Sequence, residues 1–564
     1  MLSASRPLCP IANPRPFHPV TVSRPPVIRA VMGTVAMLLV ACTATAELQN
    51  ISIGGEIRIR ARDWHNVYDT TNPNGLSDPR IPAFLLPNRP IGPFGTVSRY
   101  GFYDRGNERD YVEQKTTIDI EADFTDNIRA EVLFESYDQW GTGFRSNYLT
   151  GADTSDLGTS DVALSQSFIE IEEMWDKPIV VRIGRQAIGL DKRWLLSEYI
   201  GGTITMPFDG VRVMYLGDQW EIDGWATKLV ETGTAEEDGD VDFYGAHATL
   251  KIPLDMSMTA YWYFVRDARK LNDTNGTAFL EWIEDAAGRD DYDPTELHTL
   301  GTRIQGDIMS WDFDLEAAYQ FGDVDAIGSG FRASDSAYGD DHAKASAWGF
   351  DLEAGRTFKS IPLEPRIFIG GAWLSGEDNR DVDFVDWLNP FERPDASVSF
   401  SRLFSGYVYS WTLDVGQDLT NFKQVRIGAE ASLTDAIVAH LLVSHYWVDE
   451  PFESPLFVNA GRFQIPVAPN LSFLSKPGSD DVGTTAFLWF RYTYSENWWI
   501  SAGAEYLFAG EALEDGSFMH RHGLEFTGGL DDEDAMYFFI DSGIKFGGKR
   551  RSVDMHQVEY RTKK

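Results

Sequence analysis

Guanidinium groups at alternate positions are the most chemically informative feature of this sequence. Arg58, Arg60 and Arg62 fall two residues apart within 51–64, interleaved with Ile57, Ile59 and Ala61. Arg129, Arg182, Arg303, Arg426 and Arg491 sit singly in other stretches of the same alternation. A period of two puts such arginines on one face of a strand and the apolar residues on the other. A guanidinium is a permanently charged planar fork that binds carboxylates through paired hydrogen bonds and does no acid–base work near neutrality. The chemistry on offer is reversible carboxylate binding. Acids share these faces: Asp119, Glu121, Glu131, Glu170 and Glu172 early, then Asp312, Asp314, Glu316, Asp351, Glu353 and Glu430. Each arginine therefore has two readings, a free site for an anion or one half of an ion pair that stiffens the wall.

Catalytic constellations are thin. Nine of the 10 histidines follow residue 46; of these, His440 shares one stretch with Ser444 and His445, but alternation turns His445 the opposite way. His520 and His522 have no third ligand at a set spacing, so no metal site is expected. Phosphate-binding glycine loops and dinucleotide fingerprints are missing from strand-to-helix context, and no cofactor is expected. Lys and Arg total 49 against 86 acids, a formal net charge of -37, which argues against nucleic acid as a partner.

The elements that would position these residues are strands. Alternating segments recur at 51–64, 111–123, 128–139, 162–174 and from Val180, and the series continues to 535–547, eighteen in all. The connections alternate strictly, nine long and eight short. A soluble sandwich has no reason to keep every other connection short, whereas an outer-membrane barrel has short periplasmic turns and longer external loops. The expected fold is an all-β transmembrane antiparallel barrel of about 18 strands in the bacterial outer membrane, its apolar faces against lipid. Arg58, Arg60, Arg62, Arg129, Arg182, Arg303, Arg426, Arg491, Glu121, Glu131 and Glu170 then line a water-holding pore. Acid in the long loops, as at 236–242 and 284–293, accounts for much of the net charge.

Residues 1–46 read as a signal peptide: Arg24 and Arg29, an apolar run at 31–41, and Ala44-Thr45-Ala46 before Glu47. Leu39-Val40-Ala41-Cys42 also has the form of a lipoprotein cleavage box. Both cysteines, Cys9 and Cys42, precede Glu47, so the barrel at 47–548 is expected to hold no disulfide. Residues 549–564 form a basic stretch expected to be a periplasmic tail.

Three patches carry a family likeness. VRIGRQ at 181–186, PRIFIGGAWLSGEDN at 365–379 and DLTNFKQVRIGAEASLTDAIVAHLLVSHYWVDE at 418–450 resemble the alginate export family of outer-membrane barrels. The resemblance implies a monomeric porin-like barrel that conducts a polyuronate through an arginine-lined constriction, with periplasmic export machinery as a partner. Gly184, Arg185 and Gln186 match its motif, and Arg402 lies in an external segment where the family carries an Arg-Phe-Gly pattern. Ala187 stands where the family's exporter is basic, and 494–497 is a plain short turn where that exporter has a long plug loop. Lys192 and Arg193, beyond the strand, are expected at the external mouth. The cargo expected is an acidic polysaccharide or another anionic solute; the alternative is a general diffusion porin, and a barrel hydrolase has little support.

Overall fold

The computed structural model describes residues 48–66, 109–140, 162–231, 240–268, 294–323, 344–376, 397–450, 479–515 and 534–547, apart from a few positions within them, and short pieces between 453 and 477. Residues 1–46, expected to be a signal peptide, residues 549–564, expected to be a periplasmic tail, and His520 and His522 lie outside the described residues.

Eighteen long strands form one antiparallel sheet closed on itself. In chain order they are β1 (Asn50–His65), β2 (Arg109–Thr125), β3 (Ile128–Gln139), β4 (Val162–Ile171), β5 (Ile179–Ala187), β6 (Pro207–Leu216), β7 (Trp220–Val230), β8 (Val241–Ile252) and β9 (Met256–Asp267). The second half comprises β10 (Thr295–Ile308), β11 (Trp311–Asp323), β12 (Lys344–Thr357), β13 (Arg366–Leu374), β14 (Phe422–Thr434), β15 (Ile437–Val448), β16 (Asp481–Thr493), β17 (Trp498–Ala509) and β18 (Ala535–Gly547). Each strand pairs with its neighbours in sequence, and β1 pairs with β18 from Gly54↔Gly547 to His65↔Met536, which closes the ring. Closure leaves no unpaired main-chain edge, the condition for spanning a bilayer with strands.

Alternation sorts the faces. Ile51, Ile53, Ile169, Ile369, Val425 and Ile427 are exposed on the outside, where lipid covers them. Outward rings form a ladder over six strands: Tyr244 stacks on Phe264, Phe264 on His298, His298 on Phe321 and Phe350 on Trp373, while Tyr319 meets Trp348 at a tilt. Aromatic rings with polar tips suit the membrane interface.

The expectation that all nine long connections stay outside the barrel is corrected at two places. After β5, the described residues of 188–206 turn into the lumen, and after β13 the described residues of 399–421 do the same. The cause is composition. Ile188, Leu190, Trp194, Leu195 and Leu196 in the first segment, and Phe400, Leu403, Phe404, Leu413 and Leu419 in the second, are apolar side chains that water would leave exposed. They pack instead on inward-facing Phe208, Trp225, Phe243, Tyr263, Phe422 and Tyr446. This half of the lumen is filled by an apolar core and does not hold water as expected.

Candidate functional site

The two inserted segments form a single crosspiece. Ser197 N donates to Phe404 O at 2.9 Å, Phe404 N to Leu195 O at 3.0 Å and Gly406 N to Arg193 O at 3.0 Å, a short parallel pairing centred on Leu196 and Phe404. Phe404 meets Phe208 edge-on at 5.4 Å and Phe243 at 4.7 Å. Phe400 lies against Gly349, where any Cβ would come within 2.6 Å of its ring. Exposing each fully buried large apolar side chain costs about 1.5–3 kcal/mol, so the body of the crosspiece is a fixed part of the wall.

One carboxylate collects both segments. Asp351 on β12 accepts from Lys192 Nζ at 2.7 Å and from Tyr409 Oη at 3.1 Å, while Arg426 on β14 reaches its two oxygens at 2.9 and 3.1 Å. Trp194 Nε1 donates to Tyr409 Oη at 2.8 Å, tying the segments together at the same point. Lys192 also lies 3.6 Å from both Asp314 and Glu316. Glu316 stands directly opposite Asp351, and Asp314 opposite Glu353, in the register of β11 and β12. Like charges paired in this way repel, and the Lys192 ammonium offsets that repulsion. Asp191 next to it is held by Arg303 Nη1 at 3.1 Å and His247 Nε2 at 2.8 Å.

Lys192, Arg193 and Arg402 are therefore not at the external mouth; the core residues beside them draw the chain inward. Arg193 pairs with Glu198. Arg402 is fully buried, 2.6 Å from Asp414, and donates to Ser405 Oγ at 2.9 Å and to Tyr407 O, so it braces the second segment. Asp414 also accepts from the backbone N–H groups of Tyr409 and Leu419, both at 2.9 Å.

The expected arginines face the lumen, and most pair with strands beside them instead of across it, because registered neighbours bring opposite charges within reach. Arg58 pairs with Asp541, Arg303 with Asp314 at 2.6 Å and Arg426 with Asp351. Arg129 and Arg182 share Glu170. Arg60 and Arg62 share Glu113. Arg491 lies over the Trp499 ring at 4.5 Å. Glu121 and Glu131 are buried directly opposite each other on β2 and β3, and each has further partners.

Toward β1, β2 and β3 the crosspiece makes mostly polar contacts. Thr203 meets Arg60 and Lys115, and Thr205 N donates to Glu135 Oε1 at 3.0 Å. Arg62 lies between the rings of Trp64 and Trp411, 5.4 and 5.3 Å from their centres. Its Nε lies 3.1 Å from Glu113 Oε1 in the shared ion pair, and its Nη2 is buried without a hydrogen-bond partner. Of Lys115, Lys192, Tyr409 and Thr203, sequence reasoning names only Lys192, and places it at the external mouth. The signal that points to three of them is the apolar runs Trp194-Leu195-Leu196 and Leu403-Phe404 inside long connections that are elsewhere acidic.

A match to the alginate export family spans residues 100–524, three quarters of the sequence. The chain belongs to the alginate export family. It is an outer-membrane channel, and the family comprises transporters. No curated protein sequence matches it. Among solved structures it is similar to Acinetobacter baumannii OccAB1 (10% identity, TM-score 0.48, covering 89% of this chain and 99% of that one). The outer membrane protein OprD from Pseudomonas aeruginosa is similar at 9% identity and a TM-score of 0.45, over 91% and 98% of the two chains. OccK11 (OpdR) from Pseudomonas aeruginosa is similar at 7% identity and 0.44, over 89% and 98%. Likeness at this level carries no inference about cargo.

The GRQ motif of this alginate export family member serves the wall. Gly184 has φ +130°, and a Cβ there would lie 2.4 Å from Ser167 O. Arg185 turns outward and forms a two-pronged pair with Asp209, both contacts at 2.7 Å, and Gln186 is fully buried on the inward face.

Proposed function

We propose that this chain conducts an anionic polysaccharide of the polyuronate class across the outer membrane, along the side of the crosspiece that faces β1, β2 and β3. Family membership supports the cargo class. The observation that carries the reading is Arg62, a guanidinium between two tryptophans whose Nη2 is buried without a hydrogen-bond partner while its Nε faces Glu113. A cargo carboxylate can take the Nη2 donor while the sugar ring meets an aromatic face. Arg60 and Arg62 sharing one Glu113 keeps each site weak, since the wall carboxylate competes with the cargo. A channel needs binding favourable enough to admit its cargo and weak enough to release it.

A general diffusion porin is the second reading. It draws on the wall of β10 to β14, where, among the described residues, Asp307, Asp312, Asp314, Glu316, Asp351, Glu353 and Glu430 outnumber Arg303, Arg366 and Arg426 from the strands, Lys192 from the crosspiece and His440, 3.7 Å from Glu430. Currents through the reconstituted barrel in planar bilayers separate the two. The polyuronate reading requires that uronate oligomers block the potassium chloride current while neutral glucans of equal length do not. Equal block by both, or cation preference with no block, favours the porin.

A further inference from the structure

Thr203 presents two oxygens to two cationic donors of the wall. Its main-chain carbonyl accepts from Lys115 Nζ on β2, and its hydroxyl accepts from the Arg60 guanidinium on β1. A carboxylate offers the same pair of acceptors. Thr203 belongs to a short hairpin in which Tyr199–Ile200 pairs with Ile204–Thr205, closed at its base by Met206 N donating to Glu198 O at 2.8 Å.

This hairpin differs from the body of the crosspiece. Ser197 and the residues before it are fixed by the apolar core and by the bond to Phe404. Beyond the base, the described contacts with the wall are polar: Thr203 with Arg60 and Lys115, and Thr205 with Glu135 through its N–H and its hydroxyl. Lys115 also lies 3.1 Å from Glu135 and over the Tyr199 ring at 4.7 Å. Ile204 is exposed. Such contacts exchange for equivalent ones with a ligand, whereas buried apolar contacts do not.

We propose that Lys115 and Arg60 form a carboxylate subsite of the channel, covered at rest by Thr203 and the paired Tyr199–Ile200 and Ile204–Thr205, and that an anionic cargo displaces Thr203 to reach it. The inference rests on the polyuronate reading and adds to it the residues that select the cargo and the element that guards them. Lys115 is then a specificity-determining residue next to Arg62, and the hairpin is a flap opened by its own competitor.

The test locks the flap. Because the Glu135 carboxylate spans the gap to Thr205, the pair Glu135→Cys and Thr205→Cys, in a chain whose Cys9 and Cys42 are replaced by serine, is bridged through disulfides to a short bis-methanethiosulfonate linker that a reductant cleaves. Block of the bilayer current by uronate oligomers is measured bridged and reduced, with Lys115→Met as a second variant. The expected result is at least a tenfold weaker block when bridged, restored by reductant, with the potassium chloride conductance changed less than twofold. Lys115→Met should weaken the block about fivefold without any lock. A wild-type channel that is blocked, with the locked form blocked equally well, overturns the flap. Unchanged block in Lys115→Met overturns the subsite. Failure of the wild type to be blocked at all overturns the cargo reading, and this inference with it.

Discussion

Gly184 illustrates how single residues divide between wall and cargo. Its φ of +130° disfavours any side chain, and a Cβ would meet Ser167 O. Positive φ alone costs a non-glycine residue about 1–3 kcal/mol. Gly184→Ala should therefore lower the urea midpoint of the detergent-folded barrel by more than Arg185→Ala does. Arg185 is half exposed in an ion pair worth under about 1 kcal/mol; equal shifts would contradict this division. Asp351 is the opposite case, a buried carboxylate bonded by Lys192, Tyr409 and Arg426. Removing one member of such a network typically costs about 3–5 kcal/mol. Asp351→Asn should accelerate amide exchange in both inserted segments together, and acceleration in one alone would argue that they are not a unit. Period-two alternation placed the arginines and acids on one face from sequence alone. Their partners were illegible, because register between strands is a tertiary fact.

At the scale of elements, the strands were the legible part. β3 and β18 have the bounds that alternation alone assigns, and β1 extends one residue further at each end. The crosspiece was not legible, because residues 188–206 and 399–421 follow no period and a long acidic-barrel loop reads as external by default. Its pH response follows from two carboxyls that lie outside the strands. Burial pushes the Asp414 carboxyl up to about 6, with Arg402 drawing it back. Burial pushes Asp191 up too, but His247 and Arg303 outweigh it and hold that carboxyl well below the usual carboxylate range. A raised carboxyl stabilises fully below its unfolded value of 3.8 and loses that contribution as pH rises through about 6. A lowered one contributes above 3.8 and loses that contribution as pH falls. Amide-exchange protection of the crosspiece, corrected for intrinsic rates, should peak at about pH 4 to 5. A steady rise toward pH 8 would contradict the cost assigned to Asp414.

For the whole molecule, closure of β1 on β18 explains how a chain with a net charge of -37 sits in a membrane: the exterior is apolar and aromatic, and charge is confined to the lumen and the ends. The apolar core of the crosspiece packs on β6 to β18, whose strands β10 to β14 also carry an acid-rich wall, whereas the crosspiece meets β1, β2 and β3 mainly through polar side chains. The proposed route follows the polar side. Cysteine accessibility tests it most directly. Arg62→Cys and Ala347→Cys, each in the otherwise cysteine-free barrel, are exposed to a charged methanethiosulfonate reagent while the bilayer current is recorded. We expect rapid modification and a changed current at position 62, and no change at position 347, which is buried in the apolar core with Phe400. Modification at 347 with position 62 silent would place the route on the other side of the crosspiece and contradict the account.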